Sequence, residues 1–335
     1  MRTRKMKIGL VGAGRIAQTY AEALQRSATA CLHAVADVRR EAANAIGESF
    51  RCRAFDSHLA LAREGGVEAV VVCTPPATHP EICADLAKQG LHVLCEKPFS
   101  IRREQARTMI GAARKAGVLI TMASKFRFVP EVAHARSLVA SGVVGEVLLF
   151  ENAFTAKVDM SRRWNSDRRI SGGGVLIDNG THSVDIARYF LGPLSEVSVV
   201  EAPGVHGLRV EETVLVHVRN QRGVLGSIDL SWSLNKEQDT YISVYGLEGT
   251  LKIGWKQSCY RRATDKSWEV FGSGYDKARA FGNQIDNFAR AIRGEEELLV
   301  TPEDALASVT VIETAYRAMR HGKWTAIPGE KKGDR

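Results

Sequence analysis

The chain is 335 residues long, 44% hydrophobic and 25% charged, with 30 Gly and 9 Pro, proportions that exclude a collagenous, low-complexity or wholly disordered protein. Its 46 Lys and Arg against 38 Asp and Glu leave a charge of +8, of which Arg2, Arg4, Lys5 and Lys7 supply four. No basic stripe with aromatic context marks a nucleic-acid surface, and no run approaches the ~20 apolar residues that span a bilayer. Neither nucleic acid nor membrane is expected as a partner, and no signal-peptide pattern opens the chain. Six cysteines form no C-x-x-C pair and lie mostly in apolar runs such as AVVVCT and HVLCEK, so they read as buried thiols in a reducing cytoplasm. At roughly 100 to 200 residues per domain the length suggests two domains.

From Lys7 to about Ser124, short β-branched runs (KIGLV, CLHAVA, VEAVVVC, LHVLC, VLITMA) alternate with helical patterns such as AQTYAEALQRS and THPEICADLAKQ. That rhythm predicts βαβ units around a doubly wound parallel sheet. After Arg127 the pattern changes: a helix near Pro130 to Ala140, a strand from Glu146, and a glycine-opened helix over Gly174 to Leu191. Alternating strands follow (EVSVVEA, ETVLVHVRN, GVLGSIDLSWSL, TYISVYGLEG, TLKIG), with turn signals at Asn220 to Gly223 and Leu247 to Gly249. This succession predicts a mainly antiparallel sheet in an α+β second domain. Helices over about Asp276 to Ile292 and Pro302 to Arg320 complete it, the latter opened by Thr301, Pro302, Glu303 and Asp304 as cap, first-turn proline and dipole-matched acids. The expected division is 1–124 for the first domain and 125–335 for the second.

KIGLVGAGRIA sets Gly12, Gly14 and Ala17 directly after a strand and at the opening of a helix, the context a dinucleotide fingerprint requires. Gly12 permits the tight turn, Gly14 lets amides approach a pyrophosphate, and Ala17 suits close strand–helix packing. The cradle is therefore Gly12, Ala13, Gly14, Arg15 and Ile16. Asp37 closes the second strand, where a carboxylate accepts hydrogen bonds from a ribose and repels a 2′-phosphate, so NAD is preferred to NADP. Arg39 and Arg40 follow at once and offset part of that repulsion, which leaves NADP open. A glycine turn that packs a helix without any ligand is the alternative.

Two further clusters stand at predicted strand ends, Thr74-Pro75-Pro76 with His79 and Cys95-Glu96-Lys97-Pro98, where ligands sit in open α/β sheets. A cis Lys97-Pro98 bond is expected at so tight a strand exit. Later, Gly172-Gly173-Gly174 opens a helix on which Asp178, His182 and Asp185 share one face. These three as metal ligands lack the further His or Cys that a catalytic zinc needs, so no metal is expected.

The motifs GAGRIA, TPPATH, EKP and GGGVLIDNGTHSVD, in this order, resemble those of the Gfo/Idh/MocA family, the glucose-fructose oxidoreductase and inositol dehydrogenase relatives, over nearly the whole chain. The resemblance implies a Rossmann domain followed by an α/β domain with a large, mostly antiparallel sheet, and assembly into dimers or tetramers through that sheet's open face. It implies a metal-free NAD(P)-dependent dehydrogenase of a sugar, polyol or inositol, with Lys97, Asp178 and His182 as the catalytic trio. Thr74, Pro75, His79, Glu96 and Lys97 would line the cofactor, and Arg127 would lie near nicotinamide and substrate unless it merely pairs with Glu131.

For such chemistry His182 is the natural base, since an imidazole exchanges a proton near pH ~6.5. Lys97 would stabilise the developing alkoxide, and Asp178 would orient the substrate or the imidazole. Ser161 to Arg169 carries Arg162, Arg163, Arg168 and Arg169 around Trp164. These suit an anionic sugar with a stacking platform, or equally a solvated or interface loop. Trp232, Lys236 and Tyr241 are candidate pocket neighbours. Two other functions fit the same motifs: a glycoside hydrolase that retains its NAD, and a nicotinamide-binding sensor without turnover.

Overall fold

In the computed structural model, which describes residues 4–329, the β-branched runs near the N-terminus form β1 (Met6–Val11), β2 (Ala30–Ala36), β3 (Arg53–Phe55), β4 (Ala69–Val72), β5 (His92–Glu96) and β6 (Ile120–Ala123). They pair in parallel in the order β3-β2-β1-β4-β5-β6. Both faces are covered, which is why β4 and β6 are buried at every residue and read as continuous apolar runs rather than alternation. The connections are α1 (Arg15–Arg26), α2 (Arg40–Phe50), α3 (His58–Glu64), α4 (His79–Lys88) and α5 (Arg103–Ala116). Strand order reverses between β1 and β4, the point at which such sheets open a crevice at their carboxyl ends.

The remaining elements are α6 (Pro130–Ala140), β7 (Val147–Thr155), α7 (Arg168–Ser171), α8 (Val175–Leu191), β8 (Leu194–Glu201), β9 (Thr213–Asn220), β10 (Leu225–Ser231), β11 (Thr240–Gly246), β12 (Gly249–Gly254), β13 (Ser258–Arg262), β14 (Glu269–Gly272), α9 (Lys277–Ile292), α10 (Pro302–His321) and β15 (Thr325–Ala326). A second sheet runs β14-β13-β12-β11-β7-β10-β9-β8-β15, antiparallel except where β10 lies parallel to β7. Its strands alternate: Val214, Val216 and Val218 of β9 are buried, while Leu215 between them is exposed. The buried side receives α8, which packs on β7, β9 and β10. At Gly180 of α8 even a methyl group would stand 3.1 Å from Leu230 Cδ1, so the helix lies close against the sheet. The fold class expected from sequence holds.

The chain separates into two units, one reaching to Phe128 together with Lys277–Leu306, the other Val129–Asp276 together with the chain from Ala307 on. The division expected at 124/125 therefore places α9 differently. Phe281, Ile285 and Phe288 of α9 join the first unit's core with Tyr20 and Leu24, each worth roughly 1.5 to 3 kcal/mol when buried. Tyr20 and Phe281 meet edge to face at 4.9 Å, and Asp286 accepts from the hydroxyls of Ser27 and Thr29 at 2.6 Å. Amphipathic spacing announces such a helix without saying which core it joins. Among the described residues no helix is long and apolar enough to cross a membrane.

Candidate active site

Gly12 carries φ +96°, and a Cβ there would lie 2.9 Å from the carbonyl carbon of Cys73 at the end of β4; both facts bar any side chain. Gly14 is the N-cap of α1, with no side chain capping the first turn, and a Cβ built on it meets nothing within 4 Å. The helix thus offers its positive end and first amides to open space, which suits an anion. Ala17 is fully buried in the strand–helix contact. The carboxylate of Asp37 accepts from the amide of Ala13 at 2.7 Å and that of Arg39 at 2.8 Å, with Arg39 Nε at 3.4 Å. A carboxylate has about four acceptor positions, so Asp37 braces the loop and keeps capacity for ribose hydroxyls. Loop, open helix end and acid fit an NAD molecule.

At the end of β4, the Thr78 hydroxyl donates to Thr74 Oγ1 at 2.8 Å and fixes the Thr74-Pro75 turn. His79, expected against the cofactor, has a different task. It is fully buried, with Nε2 2.8 Å from the Thr74 carbonyl and Nδ1 3.0 Å from that of Pro98, so it ties the two strand-end loops together. Burial lowers its pKa, against the pull of those carbonyls. Glu96 is likewise turned inward: Tyr20 Oη donates to Oε1 at 2.7 Å and the Lys97 amide to Oε2 at 3.0 Å, while Gln284 of α9 donates to Tyr20 Oη at 3.0 Å. Burial pushes the Glu96 carboxyl up, with Lys97 and Tyr20 opposing. Lys97 is partly exposed, and its bond to Pro98 is cis as expected.

Arg127 pairs elsewhere than with Glu131. It is buried, and its Nη1 donates to the Leu299 carbonyl at 3.1 Å and to Asp304 Oδ2 at 3.0 Å. Thr301 and Asp304 cap the start of α10, the Asp304 amide donating to Thr301 Oγ1 at 3.1 Å. The guanidinium therefore anchors the returning segment to the first unit.

In the second unit, Asp178 and His182 lie one turn apart on α8 and are both partly exposed, whereas Asp185 is fully buried. The start of α8 is held by residues distant in sequence. Glu211 Oε1 accepts from the amides of Gly174 at 2.8 Å and Leu176 at 3.2 Å, and from Tyr316 Oη at 2.6 Å. The Glu211 carbonyl takes the Val175 amide at 2.9 Å. A Cβ on Gly173 would fall 1.8 Å from Tyr316 Oη, and one on Gly174 2.0 Å from the Glu211 carbonyl oxygen; the glycines exist so that this clamp can close. Burial pushes the Glu211 carboxyl up, while the Tyr316 hydroxyl and the helix amides draw it down. Sequence reading missed Glu211, Tyr316, Tyr20 and Gln284. The one signal was the acid pair Glu211-Glu212 inside an apolar strand opening.

The arginine-rich loop is exposed at Arg162, Arg168 and Arg169. Arg169 is already paired with Asp167 at 2.9 Å, which also caps α7. Trp164 is exposed, Trp232 is buried, and Lys236 pairs with Asp229. Among the described residues no group of three His, Cys, Asp or Glu is placed to hold a metal ion.

Two family profiles match this chain: "oxidoreductase family, NAD-binding Rossmann fold" over residues 6–124, and "oxidoreductase family, C-terminal alpha/beta domain" over residues 136–327. The chain belongs to the Gfo/Idh/MocA family of oxidoreductases. Similar proteins include an inositol 2-dehydrogenase of Rhizobium meliloti, 27% identical over 345 residues and covering 96% of this chain and 99% of the relative. A myo-inositol 2-dehydrogenase of Thermotoga maritima is 31% identical over 258 residues, 73% of this chain and 74% of the relative. The solved structure of GenD2 from gentamicin A biosynthesis, in complex with NAD, has a TM-score of 0.87 at 26% identity and covers 98% of both chains. In this Gfo/Idh/MocA oxidoreductase the first unit is the family's NAD-binding Rossmann domain, extended by α9, and the second is its α/β domain.

Proposed function

We propose that this oxidoreductase transfers a hydride between nicotinamide and a secondary alcohol or ketone of a sugar, polyol or inositol, with Lys97, Asp178 and His182 serving one substrate carbon. The observation that carries the reading is a titratable Asp–His pair one turn apart on the partly exposed side of a helix whose start is clamped in place. The inositol dehydrogenases among the relatives support the substrate class.

When bound, the nicotinamide supplies the hydride acceptor. His182 takes the hydroxyl proton as the carbonyl forms and returns it in reduction. Lys97 donates to the same oxygen and stabilises its developing negative charge. Asp178 orients the hydroxyl or the imidazole. Gly12 to Ile16 hold the pyrophosphate, the Thr74-Pro75 turn and Lys97 line the nicotinamide half, and His79, Glu96 and Arg127 act from behind these groups. NAD is preferred over NADP because Asp37 would face a 2′-phosphate. The six unpaired cysteines suit a reducing cytoplasm. Exposed Leu215 and Leu225 on the open sheet face suit assembly of identical subunits there.

The test is incubation with NAD, and separately NADP, against inositols, free sugars, sugar phosphates, nucleotide sugars and aryl glycosides while following the reduced-nicotinamide absorbance. A rise with one class names the substrate. Aglycone release without that rise overturns the reading in favour of an NAD-retaining hydrolase, and cofactor binding without turnover in either direction overturns it in favour of a sensor.

A further inference from the structure

Aromatic side chains of the second unit gather where β7 ends, β11 begins and β12 ends. Tyr241 stands 4.4 Å from Trp255 between ring centroids with 33° between the planes, and Tyr275 meets the same indole edge-on at 5.6 Å. Phe154 approaches Tyr241 at 6.0 Å and Trp255 at 6.2 Å, and it stands edge-on to the imidazole of His182 at 6.4 Å. The indole is fixed by backbone as well as by rings. The Trp255 amide donates to the Asp239 carbonyl at 2.9 Å, and the Tyr275 amide to the Trp255 carbonyl at 3.0 Å. Gly274, at φ +107°, lets the following turn pass so close that a Cβ there would lie 2.4 Å from the Trp255 carbonyl oxygen.

Tyr241 is 1% exposed, yet Trp255, which it backs, is 39% exposed. A rigid, backed indole that still shows apolar surface to solvent is a surface awaiting a cover, since an aromatic ring yields its energy only when its face is buried. We infer that Trp255 is a stacking platform for the ring of a cyclic polyol, a pyranose or cyclitol, presented on the aromatic chain that leads to His182. Such rings carry a continuous patch of C–H bonds on one face, apolar and slightly positive, which complements the negative π face of indole. An open-chain polyol has no such patch and must also lose rotamer freedom on binding. The platform therefore selects cyclic over open-chain substrates for the hydride transfer proposed above, and rests on that reading.

The test compares Trp255→Leu and Trp255→Phe with the parent enzyme, loaded with NAD, on a cyclitol or pyranose and on an open-chain hexitol. Trp255→Leu is expected to raise KM for the cyclic substrate roughly tenfold, the size of one good stacking contact, with kcat and the hexitol KM within about twofold. Trp255→Phe, which keeps a π face, is expected to restore most of the loss. An equal rise for both substrate classes, an unchanged KM, or a fall in sedimentation coefficient would overturn the platform, the last by assigning the indole to a subunit contact. Quenching of tryptophan emission by the cyclic polyol in NAD-loaded His182→Ala protein, lost in the His182→Ala, Trp255→Phe double variant, reads binding apart from turnover. Quenching with no turnover of any polyol by the parent enzyme keeps the platform and discards the hydride-transfer reading; turnover without quenching does the reverse.

Discussion

The glycine loop of the first unit and the glycine run before α8 in the second do opposite things with the same residue. At Gly14 the absence of a side chain leaves a space open, with nothing within 4 Å of a built Cβ. At Gly173 and Gly174 the space is already filled by Tyr316 and Glu211. The first arrangement is made by contiguous residues folding strand, turn and helix in succession. The second needs partners 37 and 105 positions apart in sequence, Gly174 with Glu211 and Glu211 with Tyr316. The cofactor loop can be local because backbone amides suffice to meet a phosphate; the start of α8 is held by side chains distant in sequence, which fix where that helix begins.

The contrast is sharpest for catalysis. His182→Ala should lower kcat by ~100-fold or more, the usual worth of a general base, while the Kd for NAD measured by calorimetry stays put. Undiminished turnover would remove His182 from that role. Next in size is the clamp. Glu211→Ala leaves the Gly174 and Leu176 amides and the Tyr316 hydroxyl without their shared acceptor, a loss of roughly 1 to 3 kcal/mol for such a buried group. Urea unfolding should report that loss and kcat should fall, again with NAD affinity kept. Glu211→Gln, which retains an acceptor oxygen, should recover part of both, and a drop in NAD affinity equal to the drop in kcat would erase the distinction between the two ends.

Smaller effects probe the local end. Asp37→Ala should weaken NAD binding about tenfold and bring NADP nearer to it, since both the ribose acceptor and the negative charge are removed; unchanged discrimination would shift the cofactor preference to other residues. The smallest concerns His79. Its pKa is lowered in the folded protein by burial, so its contribution to stability is present above the unfolded value near ~6.5 and is lost as pH falls through the lowered folded value. Melting temperatures should decline from pH 7 towards 5, and the decline should flatten in His79→Gln; an unaltered slope would sink this assignment.

Much of the first unit was legible because its devices are short-range. The β-branched runs, the GAGRIA loop and Asp37 each declare themselves within about a turn of chain. That Asp178 and His182 share one helix, a turn apart, was legible from their spacing. What the sequence hid is the second partner of each device. His79 looks like a ligand-facing residue until its imidazole is found between two carbonyls, and Arg127 turns to Asp304, 177 residues away, rather than to Glu131. Polar side chains carry no periodicity that names their partner, so burial decides between contact with a ligand and service to the fold.

The return of α9 to the first core, before the chain goes back to the second unit at Ala307, leaves the first unit split in sequence by the 148 residues from Val129 to Asp276. A ribosome therefore finishes the six parallel strands long before it delivers the helix that covers Tyr20 and Leu24. At ~5 to 20 residues per second, that apolar patch stays uncovered for on the order of ten seconds or longer. During that interval the emerging chain is a client for chaperones, and fragments ending near residue 124 should remain sticky however complete their cofactor loop.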